Sequence, residues 1–193
     1  MKFEKKALEG RYIRLEPISI IHKEGLCEAI ADGELWKLFV TLVPNLDKVS
    51  DFIGEAENSF ENMDGITYAI IESSTDKIVG STRFMKANLE NKRVEIGYTF
   101  VAKSFQRTSV NTEAKLLMLS YGFERLGLNR VEFLTDYLNI KSREALLRIG
   151  AKEEGILRNH MVMPNGRVRD SVVFSVIKNE WPGVKQNLLE KLA

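Results

Sequence analysis

At 193 residues the chain is long enough for one well-cored domain and short for two. Hydrophobic residues make up 44% and charged residues 28%, the proportions of a soluble globular protein rather than a disordered or membrane-embedded one. The net charge of +1 gives no general pull toward nucleic acid or an anionic membrane; neither is an expected partner, and any anion binding must be local.

The single cysteine, Cys27, excludes an internal disulfide and fits a reducing compartment. It falls in an apolar-patterned segment and reads as a buried structural thiol. With two separated histidines, His22 and His160, it offers no ligand set for a metal, so none is expected. The first six residues are charged and lack an apolar signal core. No apolar run approaches the roughly 20 residues needed to span a bilayer. A cytoplasmic location is the expectation.

Residues 12–17 alternate apolar and polar and end at Pro17, which predicts an edge-type first strand. In residues 22–39 the apolar positions recur at mixed helical spacing, broken at Asp32 and Gly33, which predicts two short helices. Residues 47–63 form a clearer helix with one stripe of Val49, Phe52, Ile53, Ala56 and Phe60, stopped at Asp64 and Gly65. The period then changes. Residues 66–72 and 78–84 flank a polar turn and read as a hairpin, with 94–101 a third strand of the same sheet. Residues 111–126 are apolar on most sides, so this helix is expected to be sandwiched rather than superficial. A strand over 131–135 and a short helix over 142–149, closed by Gly150, come next. Strands over 154–163 and 168–177 are joined by Pro164, Asn165 and Gly166, a hairpin signature. The pattern predicts α/β or α+β, with one mixed sheet flanked by helices in a single domain over 1–193.

The chemistry concentrates between Glu95 and Ser142. A loop of donors, Gln106, Arg107, Thr108, Ser109, Val110 and Asn111, leads into the long helix. A helix start offers unpaired N–H groups and partial positive charge, which suit phosphate oxygens. Thr108, Ser109 and Thr112 add hydroxyls, and Arg107 adds a fixed charge. Glu113 in the first turn would repel a diphosphate if it faced the same way. The plainer reading is an ordinary helix capped by Asn111.

Several segments in this order resemble the GNAT superfamily of acyl-CoA-dependent N-acetyltransferases. They are Arg93-Val94-Glu95-Ile96-Gly97-Tyr98, Asn111-Thr112-Glu113-Ala114-Lys115, Leu126-Gly127-Leu128-Asn129-Arg130-Val131 and Asn139-Ile140-Lys141-Ser142. Runs at 148–155 and 169–175 add to them, and the likeness covers residues 8–184. Within the superfamily the chain is similar to the RimJ/RimL-like branch, which acetylates ribosomal-protein N-termini. The resemblance implies a twisted, mostly antiparallel sheet with a splayed central pair of strands and acetyl-CoA as co-substrate. It also implies an amine acceptor, either a protein N-terminus or a small molecule, and leaves a homodimer open.

By the same resemblance, residues from Gln106 to Thr112 hold the pyrophosphate, and amides near Phe100 and Val101 grip pantetheine and polarise the thioester. Asn139 meets the pantetheine arm. Leu146 stands where many relatives carry a tyrosine, and Ser142, where the RimL-like branch uses a serine, donates to the leaving thiolate; the plainer reading is Asn139 as a helix cap and Ser142 as a first-turn hydroxyl. Glu95 is the candidate base, acting through an ordered water; the plainer reading is a solvated strand residue paired with Arg93 or Arg83. Strict alternation would put Glu95, Gly97 and Thr99 on one face. The family's cofactor loop carries glycines where this chain has Ser109 and Asn111; a left-handed backbone at Ser109 would cost about 1–2 kcal/mol. A chain that keeps the cleft only as a binding or interaction protein is the alternative. His160 reads as a surface or hairpin-packing residue. Trp36, Phe39 and Phe52 belong to the core or line an acceptor groove.

Overall fold

The period-two segments pair into one eight-stranded sheet, ordered β1-β2-β3-β4-β5-β6-β8-β7. The structure, a computed structural model, describes residues 2–193. The strands are β1 (Leu8–Glu9), β2 (Ile13–Pro17), β3 (Ile66–Glu72), β4 (Ile78–Asn88), β5 (Arg93–Val101), β6 (Arg130–Asp136), β7 (Lys152–Val162) and β8 (Val168–Ile177). Every neighbouring pair is antiparallel except β5 and β6. Those two run parallel and pair only at Arg93 with Arg130, Val94 with Val131 and Glu95 with Glu132. Beyond that point β5 stays on β4 while β6 stays on β8, so the centre of the sheet opens into a splay.

Helices cover both faces. α1 (Lys23–Ala31) and α2 (Val49–Glu61) pack on one side, where Leu26, Ile30, Phe52, Ile53 and Phe100 form a core. α3 (Ser109–Ser120), α4 (Ile140–Ile149) and α5 (Trp181–Glu190) pack on the other, over a larger core that includes Phe84, Met118, Leu119, Leu128, Phe133 and Phe174. Fully burying each such side chain contributes about 1.5–3 kcal/mol, which makes these two seams the main source of stability. The α2 stripe is buried as its spacing predicts, at Val49, Phe52, Ile53 and Ala56. α3 is sandwiched between sheet and α5, and even its Thr112, Glu113 and Lys115 are buried.

The differences from the sequence reading have local causes. β2 is not the edge, because the two-residue β1 folds back and pairs with it. α3 begins at Ser109 with Thr108 as its cap, two residues before Asn111. The cap is Thr108 because its backbone is extended and its hydroxyl accepts from Val110 N–H. The same helix ends in a π-turn over Tyr121–Arg125, which the apolar pattern alone does not distinguish. α5, with a proline in its first turn, was not anticipated. Cys27 is half-buried rather than buried, its sulfur 3.9 Å from the Leu46 carbonyl. Among the described residues no helix is long and apolar enough to cross a membrane.

Candidate active site

Because β5 and β6 are parallel, their C-terminal ends lie at the same end of the sheet. Ligands of open sheets bind outside the carboxyl ends of such strands. The segments that follow, 102–108 into α3 and 137–139 into α4, therefore flank the splay. Ala102 donates to Val79 O, and Ser81 is the register partner of Phe100. Antiparallel alternation then turns the Phe100 amide toward β4 and the Val101 amide away from it, toward the splay. Of the two residues expected to offer free amides, Val101 is the one so placed. Its carbonyl accepts from Gln106 Nε2 at 3.0 Å, which ties the donor loop to the strand.

In that loop Gln106, Arg107 and Thr108 are exposed and Ser109 and Asn111 half-buried, while Val110 and Thr112 point into the protein. The left-handed residue is Arg107, at φ 64°, not Ser109, which already has helical backbone. The expected cost of a serine in a left-handed conformation therefore does not arise. Thr108 Oγ1 donates to Phe105 O at 2.7 Å and accepts from Val110 N–H at 3.3 Å. The Ser109 and Asn111 amides, like any in a first helical turn, lack an intrahelical partner. Glu113 does not face this end. It is buried, and its carboxylate accepts from the amides of Arg11, Tyr12 and Ile13 at 2.7–2.8 Å. The β1–β2 turn holds its carboxylate away from the helix start, against the orientation that would repel a diphosphate.

The middle of β5 departs from strict alternation. Gly97 pairs with Arg83 and Phe100 with Ser81, so β5 carries one extra residue, a bulge at which Tyr98 adopts φ 47°. Parity reverses there. Glu95 and Tyr98 face α1 and α2, whereas Thr99 faces α3, bonded to Lys115; the expected grouping of Thr99 with Glu95 and Gly97 is overturned. Glu95 is buried and accepts from Lys86 Nζ at 2.8 Å, rather than standing as a solvated residue paired with Arg93 or Arg83.

The same face gathers charges from distant segments. Arg83 on β4 lies against the rings of Phe52 and Tyr98. Arg169 on β8 is buried and donates from Nε to Ser171 Oγ at 2.9 Å. Burial pushes the Arg169 pKa down, with Asp136 and Glu95 opposing. Ser171 Oγ also meets His160 Nδ1 at 2.9 Å. His160 is thus a half-buried hairpin residue, as expected. Asp136, at the end of β6, is 1% exposed and ion-paired with Arg167. Arg167 also donates to Phe39 O at 3.0 Å and stacks on the Phe39 ring, so it straps the segment between α1 and α2 to the rim of the splay.

On the α3 face Lys115 reaches across the opening. Its Nζ donates to Thr99 Oγ1 of β5 at 2.9 Å and lies 5.8 Å from the Phe133 ring of β6. Thr99 Oγ1 is in turn 2.8 Å from Thr82 Oγ1. Burial pushes the Lys115 ammonium down to about 7. At the far lip Asn139 caps α4, its Oδ1 accepting from Ser142 N–H at 3.1 Å. Ser142 is half-buried in the first turn, and Leu146 is buried among core residues.

The residues named from sequence lie on β5, at the start of α3 and at the start of α4, and the side chains of Phe100, Val101, Val110 and Thr112 serve the interior. Sequence reasoning missed Arg83, Asp136, Arg167, Arg169 and Lys115 as site neighbours. A signal existed for Arg83 and Lys115: each is a cation at a position that its strand or helix pattern assigns to the interior.

Comparison with known proteins agrees with this geometry. The family model described as Acetyltransferase (GNAT) domain matches residues 13–152. The Bacillus subtilis (strain 168) protein named "Putative ribosomal N-acetyltransferase YdaF" is 30% identical over 151 residues, 78% of this chain and 80% of the relative. The crystal structure of a GCN5-related N-acetyltransferase from Brucella melitensis superposes with a TM-score of 0.89 at 34% identity, covering 100% of this chain and 88% of the other. Mycobacterium smegmatis RimJ, solved in complex with CoA-disulfide, shares the fold at a TM-score of 0.80 and 18% identity, over 93% of this chain and 88% of its own. These matches place the chain in the GNAT superfamily, as an N-acetyltransferase.

Proposed function

We propose that the protein moves an acetyl group from acetyl-CoA to a primary amine, of a protein N-terminus or a small molecule, by direct transfer in a ternary complex. The observation that carries this reading is the early end of β5–β6 pairing, with the Val101 amide facing the opening and the start of α3 beside it. The first turn of α3 suits the pyrophosphate: Arg107 and Thr108 are exposed, and Glu113 is held elsewhere. The Val101 amide donates to the thioester carbonyl and stabilises the negative charge that builds there during attack. The amine nitrogen bonds to the carbonyl carbon, the carbon–sulfur bond breaks, and the thiolate takes a proton from Ser142, directly or through water, while the serine regains one from solvent. Asn139 fixes the turn that presents Ser142. Glu95 takes the proton from the amine through water, and the acceptor enters on its face of the sheet, the one that carries α1 and α2. Most of the acceleration comes from positioning, since a thioester is already activated.

Titration calorimetry with acetyl-CoA tests the first half, and release of CoA thiol over a panel of amines tests the second. Absence of heat at millimolar acetyl-CoA would refute the reading.

A further inference from the structure

Among the charged side chains buried in this protein, Arg83 stands apart. Glu95 has Lys86, Glu113 has three backbone amides, Asp136 has Arg167, Lys115 has Thr99 and Arg169 has Ser171. Arg83 is 6% exposed, and its Nε and Nη2 are buried with no hydrogen-bond partner among the described residues. Its register partner on β3, Thr67, has a buried Oγ1 that is also without a partner. Glu55 and Asp64 act on the guanidinium at long range, without a hydrogen bond to it. A guanidinium stays protonated in proteins, so burial leaves it a cation with unmet donors rather than a neutral group. Each such donor is costly when no partner is supplied.

The surroundings hold this cation in place instead of neutralising it. The guanidinium carbon lies 4.9 Å from the Phe52 ring centroid and 4.7 Å from that of Tyr98. Tyr98 reaches it from the bulge with a left-handed backbone, a conformation that strains a non-glycine residue and is retained where the surroundings enforce it. Such strain concentrates at ligand clamps. The bulge belongs to β5, whose other edge faces the splay, and Arg83 lies on the acceptor side of the sheet with Glu95. Two donors of one guanidinium match the two oxygens of a carboxylate.

Resting on the acetyl transfer proposed above, we infer that Arg83 binds a carboxylate of the acceptor, which makes the preferred substrate an amine that also carries an acidic group. Arg83 is then a specificity-determining residue, and Phe52 and Tyr98 set the direction of its donors.

The test uses acceptor pairs that differ only in carboxylate against carboxamide: L-serine with L-serinamide, and the peptide amides Ser-Glu with Ser-Gln. The acid member of at least one pair is expected to exceed its amide by about tenfold or more in kcat/KM, carried by KM, as for one charge-assisted bond. Arg83→Gln abolishes that preference while still turning over the amide, and Arg83→Lys retains part of it. Acid and amide within about twofold of each other in every pair, or a preference that survives Arg83→Gln, overturns the inference. A second readout does not depend on turnover or on a folded variant. The Nε–H nitrogen resonance of Arg83 in the wild-type protein shifts with N-acetylglutamate and not with N-acetylglutamine; an unmoved resonance overturns the inference. Turnover of amines without carboxylate preference removes Arg83 from specificity and leaves the acetyltransferase reading standing. Lack of acetyl-CoA binding removes that reading, and the resonance still decides the anion site.

Discussion

Lys115 offers the sharpest physical test of the splay. Replacing it by methionine keeps the length of the side chain and removes the ammonium. Thr99 keeps a partner, since its hydroxyl also lies 2.8 Å from Thr82 Oγ1. In the folded protein the lysine pKa falls from 10.5 to about 7. Below the lower value both folded and unfolded chains bind the proton, and the folded state carries the whole penalty of a buried charge. Between the two values only the unfolded chain binds it, so unfolding takes up a proton and stability rises with pH. Above the higher value neither binds it and the penalty is gone. At about 1.4 kcal/mol for each pH unit between the two values, the full penalty is roughly 5 kcal/mol. Unfolding free energies of wild type and Lys115→Met, from urea titrations between about pH 6 and pH 10.5, should therefore converge by roughly that amount as pH rises. Other titrating groups cancel in the difference. A difference that stays constant within about 1 kcal/mol would show that the lysine is not a desolvated cation, and that the α3 face of the splay is wet.

Two further outcomes follow from the geometry. Glu113→Ala leaves the amides of Arg11, Tyr12 and Ile13 unpaired against α3. It should destabilise the protein by about 1–3 kcal/mol in urea unfolding, because the Ile13 amide is the fully buried one of the three and an orphaned buried donor costs about 1–3 kcal/mol; a loss below about 0.5 kcal/mol would contradict a latch. Ser142→Ala should lower kcat about tenfold to a hundredfold with acetyl-CoA affinity preserved, the signature of a lost proton donor. Unchanged turnover would take Ser142 out of the mechanism.

Much of the architecture was legible because its signals are local. The stripe of α2, the turn before β8, the Gly150 cap with φ 98° and the switch between periods each depend on residues within a few positions of one another. So did the donor loop and the asparagine at the start of α4. The GNAT likeness rested on the order of such local pieces. What the sequence by itself determined was therefore the list of elements, apart from β1 and α5, and the place in the chain where the chemistry concentrates.

The tertiary structure decided how charges meet. Glu113 looked like an obstacle to phosphate until the β1–β2 turn, about a hundred residues away, proved to hold it. Arg83, Tyr98 and Arg169 share one face only because a single extra residue in β5 reverses the side on which its later residues point. The length of the β5–β6 pairing is fixed by what β4 and β8 demand of those strands, not by either strand alone. Hydrophobic period and turn chemistry act over a few bonds, whereas register, bulge and the pairing of buried charges arise only when strands distant along the chain are set side by side.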